Sequence, residues 1–287
     1  MNLHPMHPAA WVADQLAADG WHIRELLAFT RASTLIQAHR PGQNDIVLKA
    51  GFGSNHVLAE IDPTARPAAY GFYWYAQMNE TERALTRADF RHEAELTSAA
   101  TGAEHVVPLL EQGSCERFDW YTMPHCNGGN FRAFMDTGKD TGHGLSILAD
   151  VADGLSHLHQ RGIIHRDVYQ ENILINQGRG LITDLGAARR TSTPRGPEHR
   201  GPEVHWPPEY LTAFHEATPA ADVFSLAVLT YRYLCGDIPR LTTAERALIT
   251  EPLGSAVTAA LTGEPTSRPG MDVLRTALRT AADTYPH

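Results

Sequence analysis

The stretch IHRDVYQENILINQGRGLITDLG, from Ile164 to Gly186, constrains this chain more than any other. Two short apolar runs, Ile173–Ile175 and Leu181–Thr183, flank the polar, Gly-rich Asn176–Gly180, a pattern that predicts two strands joined by a turn. Such a hairpin folds Asp184 back beside Asn172. Two oxygen donors on a rigid frame can hold Mg²⁺, which takes near-octahedral oxygen ligands and leaves positions for phosphates. Asp167 stands just ahead of that pair. The competing reading is a plain hairpin with two turn aspartates, since Asp favours turns. Against it stands the joint occurrence, in this order, of His165, Arg166, Asp167, Asn172 and Asp184-Leu185-Gly186.

This set resembles the catalytic core of the protein kinases, H-R-D-x-x-x-x-N followed by D-F-G, in a divergent, bacterial-type, single-domain member of the eukaryotic-like (Hanks-type) family. The resemblance runs from about residue 21 to residue 281. It implies an α+β, two-lobed protein-kinase-like fold that forms one catalytic domain. The N-lobe, residues 1–125 with an insertion at about 51–79, would be a five-stranded antiparallel sheet plus helix C. The C-lobe, residues 126–287, would be mainly helical. The implied cofactors are ATP and Mg²⁺, with Asp167 as catalytic base, Arg166 beside it, and Asn172 and Asp184 on the metal. His165 would pack beneath the loop and hold Asp184 in place.

In the amino-terminal half, residues 9–18 read as a short amphipathic helix ended by Gly20. Strands follow at Ile23–Phe29, Thr34–Ala38 and Asp45–Ala50, with a turn at Arg40-Pro41-Gly42. A lone lysine, Lys49, in the last of these is costly unless its charge is paired, which predicts a partner carboxylate and a ligand. Within DFRHEAELTSAA, Phe90, Glu93 and Leu96 or Thr97 share one helical face, so Glu93 is the first choice of partner and Glu95 the second. By the resemblance, Lys49 holds nucleotide phosphates. The glycine-rich loop departs from the family, because Ala28, Thr30 and Ser33 stand where its three glycines belong. Three Cβ atoms restrict the backbone and hold it off a ligand, which predicts weakened or reshaped nucleotide binding. The insertion carries the aromatic run Tyr70-Gly71-Phe72-Tyr73-Trp74-Tyr75, read either as an extra strand or as a surface for a partner or peptide. Val106–Leu110 and Trp120–Met123 read as the remaining two strands of the sheet. The resemblance puts Met123 behind the adenine and makes Pro124-His125-Cys126 a hinge that reads adenine through backbone groups of Pro124 and Cys126.

In the carboxy-terminal half, Leu145, Leu148, Ala152, Leu155 and Leu158 recur at helical spacing and lead directly into His165. The segment from Asp184 to Glu209 is loop-like, with Thr191, Ser192 and Thr193 among Arg189, Arg190, Arg195 and Arg200. The resemblance allows a phosphate there to pair with arginines including Arg166; a flexible loop needing no modification is the equal alternative. Pro207-Pro208-Glu209 resembles A-P-E, with Arg268 placed as the partner of Glu209. Asp222 resembles the aspartate that ties the catalytic loop to the core. Two positions depart from the family's Ser/Thr members. Tyr169 stands where a lysine usually follows the catalytic Asp, and Pro202 where a threonine precedes A-P-E. In the family that pair holds the catalytic Asp and the transferred phosphate.

Composition narrows the function classes. With 24 Lys+Arg against 33 Asp+Glu, a formal net charge of -9, a broad nucleic-acid surface is not expected. No stretch approaches the ~20 apolar residues of a membrane span, and no signal peptide is evident. Three cysteines, Cys115, Cys126 and Cys235, lack metal-type spacing and fit reduced thiols in a cytoplasmic protein. The reading is therefore an ATP-dependent phosphotransferase acting on a Ser/Thr hydroxyl of a protein or peptide. Two alternatives stay open: a pseudokinase acting as a nucleotide-binding or scaffolding module, and a kinase that phosphorylates a precursor peptide during its modification. An antibiotic or sugar kinase is disfavoured by Arg166 and Pro208-Glu209.

Overall fold

A computed structural model of the chain describes residues 8–29, 33–42, 44–51, 79–114, 118–137, 140–192, 205–239 and 249–285. Thr30, Thr193, Arg195, Arg200, Pro202, Cys115 and all but the ends of the aromatic insertion lie outside the described residues. Two compact units are formed, one from the chain up to Ser98 together with Pro108–His125, the other from Ala99–Val107 and everything from Cys126 onward.

The first unit opens with α1 (Pro8–Ala18), closed by Gly20 in the left-handed conformation (φ +87°) that glycine adopts without cost. A sheet follows in the order β1 (His22–Phe29), β2 (Ser33–His39), β3 (Ile46–Gly51), β5 (Asp119–Pro124) and β4 (Glu111–Ser114), with all neighbours antiparallel. Central strand β3 is buried at every position, as a strand covered on both faces must be. One core packs Val12 and Leu16 of α1 against Trp21, Ile36, Leu48 and Trp120, with the two indoles edge to face at 6.0 Å. Helix α2 (Glu80–Ala100) starts on a reciprocal capping box, in which Asn79 and Glu82 each accept the other's backbone N–H. It buries Phe90, Glu93, Ala94, Leu96, Thr97 and Ala100. This is the five-stranded antiparallel sheet with one long helix that the sequence implies.

One strand differs from expectation. Val106–Leu110 is not the fourth strand: Val106 bridges Ile182, and the Val107 N–H donates to the Ile182 carbonyl at 3.0 Å, so both valines complete the second unit. Pro108 then interrupts the chain with no N–H to give a ladder. The fourth strand is the polar Glu111–Ser114, an edge strand that needs no apolar alternation.

The second unit is mainly helical. It comprises α3 (Phe131–Thr137), α4 (Thr141–Gln160), β6 (Ile163–Ile164), β7 (Ile173–Asn176), β8 (Arg179–Ile182), β9 (Arg189–Arg190), α5 (Tyr210–Ala213), α6 (Pro219–Cys235), α7 (Leu253–Ala260) and α8 (Met271–Thr284). Helix α4, capped by the Asp140 carboxylate on the His143 N–H, buries Leu145, Ile147, Leu148, Val151, Ala152, Leu155 and Leu158. Hairpin β7–β8 pairs Ile173 with Ile182 and turns through Gln177 (φ +51°) and Gly178 (φ +77°). Two consecutive left-handed residues make the tight primed turn that matches strand twist, shorter than the five-residue turn expected. The hairpin seats directly on α4 because Gly180 has no side chain; a Cβ there would lie 2.5 Å from the Ile147 carbonyl oxygen.

Asp150 locks that seating. Fully buried on α4, it accepts from Arg179 Nε at 2.8 Å and the Gly180 N–H at 3.0 Å on the hairpin, and from Arg279 Nη2 at 2.5 Å on α8. Burial alone would raise its pKa, but the two guanidiniums and the Gly180 N–H hold it below the ordinary carboxylate value. Removing a partner from a doubly buried pair costs about 3–5 kcal/mol. Here Arg179 and Arg279 are half-exposed and regain water, so Asp150→Ala is expected to cost about 2–3 kcal/mol in urea unfolding at pH 7. A depressed carboxyl contributes its stability above the ordinary value of 3.8 and loses it as pH falls further. The gap between wild type and Asp150→Ala should therefore narrow in acid; a gap independent of pH would contradict the assignment.

Candidate functional site

In the first unit, Lys49 lies midway along β3, flanked by Leu35 on β2 and Tyr121 on β5. Its Nζ is 2.5 Å from Glu93 Oε1, and both side chains are 7% exposed. The Tyr121 hydroxyl donates to the same Oε1 at 2.6 Å. A buried ammonium, carboxylate and phenol therefore satisfy one another, as low-dielectric surroundings require. Glu95, the second choice of partner, is exposed.

The helix carrying Glu93 is held a second time, by an arrangement that the sequence reading missed. Asp119, at the start of β5, accepts from Arg87 Nε at 2.8 Å and Arg91 Nε at 2.7 Å. Burial opposes ionisation of Asp119, but the two guanidiniums win and hold it well below the usual carboxylate range. The i, i+4 spacing of Arg87 and Arg91 was the available signal.

Among the residues expected at a nucleotide, Ala28 pairs with Leu35 just past a register shift in β1, and Ser33 opens β2 opposite Gly51. Met123 is buried opposite Val47, and Pro124 pairs with Ile46. Cys126, in the second unit, is buried, which pushes its thiol up to about 11 and makes it a poor nucleophile.

In the second unit the loop after β6 is strapped down by Asp222 of α6. This carboxylate, with no exposed surface, accepts the backbone N–H groups of His165 at 2.9 Å and Arg166 at 2.8 Å, and His159 Nε2 at 2.7 Å. Burial works against its ionised form, while His159 and these N–H groups keep its pKa depressed. The strap holds Arg166 in a left-handed conformation (φ +68°), which few non-glycine residues adopt. His165 Nδ1 accepts the Asp167 N–H at 3.2 Å, so its Nε2 carries the proton and donates to the Thr183 carbonyl at 2.9 Å. The histidine thus acts on Asp184 through the backbone of the preceding residue.

Asp167 is fixed at both oxygens. Asn172 Nδ2 donates to Oδ2 at 3.1 Å and to the Asp167 carbonyl at 3.0 Å, while His205 Nε2 donates to Oδ1 at 3.0 Å. His205 was not anticipated; it lies 38 residues away in sequence and is one of 16 histidines. With its nitrogen committed to Asp167, the Asn172 amide keeps its oxygen as an acceptor. The Thr183 N–H donates to the Asn172 carbonyl at 2.9 Å, which brings Asp184, also left-handed at φ +63°, next to Asn172 along the backbone. An amide oxygen and a carboxylate are hard oxygen donors suited to Mg²⁺. Among the described residues no group of three or more His, Cys, Asp or Glu could hold a metal alone.

Arg166, next to Asp167 in sequence, is buried and braces the surrounding chain. It is 1% exposed, donates to the carbonyls of Ala187 at 2.6 Å and Phe214 at 3.2 Å, and stacks 4.2 Å from the Phe214 ring centre. Burial pushes its pKa down to about 10. Glu209 and Arg268 form a two-bond pair at 2.6 and 2.7 Å. No helix among the described residues is long and apolar enough to cross a membrane.

The family described as Protein kinase domain matches residues 75–268, more than half of the chain. The chain is 30% identical over 159 residues to a probable serine/threonine-protein kinase, pknA2, of Bifidobacterium longum, covering 52% of this chain and 20% of that protein. It is 33% identical over 167 residues to serine/threonine-protein kinase PknL of Mycobacterium tuberculosis, covering 55% and 40%. It is 37% identical over 108 residues to serine/threonine-protein kinase PkaB of Streptomyces coelicolor, covering 33% and 25%. Its matched part thus spans between a fifth and two fifths of these relatives' lengths.

The Lys49–Glu93 pair generates its own test. Lys49→Met strands a buried carboxylate and is expected to cost about 3–5 kcal/mol in urea unfolding. Adding Glu93→Leu should recover most of that loss. Strictly additive costs in the double variant would contradict the coupling.

Proposed function

The chain belongs to the protein kinase domain family, and from that premise we propose that it transfers the γ-phosphoryl group of ATP to a serine or threonine hydroxyl of a protein or peptide. The observation that carries the reading is Asp167, held at both carboxylate oxygens, with Asn172 and Asp184 adjacent along a hydrogen-bonded backbone. The relatives' description as serine/threonine-protein kinases supports the choice of acceptor.

In this reading Asp167 accepts a hydrogen bond from the acceptor hydroxyl and takes its proton as the oxygen attacks the γ-phosphorus. A new P–O bond forms, the bond to the β-phosphate oxygen breaks, and ADP leaves with that electron pair. Lys49, held by Glu93 and Tyr121, binds phosphate oxygens. Asn172 and Asp184 would hold Mg²⁺, which would supply neutralisation of phosphate charge. The resemblance assigns adenine to backbone groups about Met123, Pro124 and Cys126, and the phosphates to the stretch that carries Ala28, Thr30 and Ser33 in sequence. Most of the rate comes from positioning and charge neutralisation, so the pins on Asp167 and Lys49 matter as much as the groups themselves.

The test is transfer from γ-labelled ATP with Mg²⁺ to generic protein and to Ser/Thr peptides. Asp167→Asn is expected to lower kcat by at least about 100-fold, and chelation of Mg²⁺ to stop transfer. Label that persists undiminished in Asp167→Asn, or a wild type that binds ATP and transfers nothing, overturns the reading.

A further inference from the structure

We propose that His205 is the positioning residue for Asp167, fixing the carboxylate from the side opposite Asn172, and that Tyr169 holds the imidazole in place for that task. The inference rests on the kinase reading above and deepens it, giving a role to a residue that the reading counts only as a contact of Asp167. The hydrogen bond settles the tautomer: Asp167 Oδ1 can only accept, so His205 Nε2 carries the proton and donates to it at 3.0 Å. Asn172 occupies Oδ2 at 3.1 Å. With a donor on each oxygen the carboxylate cannot turn about its terminal bond. Each oxygen keeps a second lone pair, so an acceptor hydroxyl can still be received.

The imidazole is itself held on several sides. It is 7% exposed and stacks on the Tyr169 ring, centroids 4.9 Å apart and planes 14° from parallel. Trp206 meets it edge-on at 6.4 Å. Ser225 Oγ on α6 donates to the His205 carbonyl at 2.8 Å, tying its backbone to the helix that carries Asp222. Both the imidazole and the loop bearing Asp167 are therefore referred to one rigid element. Tyr169 stands where the resemblance expects a lysine that helps hold the catalytic Asp. The ring of Tyr169 carries the flat imidazole whose N–H donates to Asp167. Tyr169 and His205 thus act on Asp167 as one stacked unit.

The experiment compares kcat and the KM for ATP in wild type, His205→Ala and His205→Gln, using the full chain. A glutamine amide retains an N–H donor at similar reach. His205→Ala is expected to lower kcat ~10- to 100-fold, the loss of one hydrogen bond to a charged group, with the KM for ATP changed by less than about twofold. His205→Gln should recover most of kcat. A second measurement reads the contact without turnover: in ¹⁵N-histidine spectra, the signal missing from His205→Gln should show a protonated Nε2 and shift in Asp167→Asn. Unchanged kcat in His205→Ala, equal losses in both variants with a matching fall in melting temperature, or a His205 signal indifferent to Asp167→Asn overturns the assignment. A wild type that transfers nothing overturns the kinase reading instead, so the two failures are told apart.

Discussion

The buried carboxylate of Asp222 is the constraint from which the candidate site follows. A charge without exposed surface persists only if its oxygens are filled, and they are filled by the N–H groups of His165 and Arg166 and the ring of His159. Those two amides belong to a turn whose second residue is left-handed, a conformation that surrounding structure must impose. Once the turn is strapped to α6, the rest is placed in sequence. His165 reaches the Thr183 carbonyl, Asp167 stands one residue beyond the strap, and Asn172 joins both through its amide nitrogen and its carbonyl.

The same solution recurs throughout the chain. Lys49 with Glu93, Asp119 with Arg87 and Arg91, Asp150 with Arg179 and Arg279, and Glu209 with Arg268 each join segments distant in sequence through a wholly or partly buried ion pair. Apolar packing of equal volume would often be as stable. What an ion pair adds is direction, because a hydrogen-bonded carboxylate tolerates one arrangement where leucines tolerate several. That is the property required where a lysine or an aspartate must be presented at a fixed place.

How much of this was legible depended on whether the signal was local. The β7–β8 hairpin, α4 and the Lys49–Glu93 pairing could be read because alternation, helical spacing and an isolated charge in an apolar strand are properties of short windows. The fourth strand was misread for the converse reason. Val106 and Val107 are apolar because the second unit needs them beside Ile182, whereas Glu111–Ser114, at a sheet edge, carries no apolar pattern. The burial of Arg166 on Phe214 and its bonds to the Ala187 and Phe214 carbonyls could not be read from spacing, because they depend on the paths of distant segments.

By itself, the sequence determined the family's core motif and most of the strands and helices, and it singled out Asp167, Asn172, Asp184 and Lys49, since each is written in residue type and spacing. Only the tertiary structure decided that Asp119 anchors α2 and that His205, stacked on Tyr169, completes the hold on Asp167. Those contacts join residues 28 to 38 positions apart, where no periodicity relates one to the other. A histidine among 16 acquires a role only when the chain brings its ring nitrogen within hydrogen-bond reach of a carboxylate.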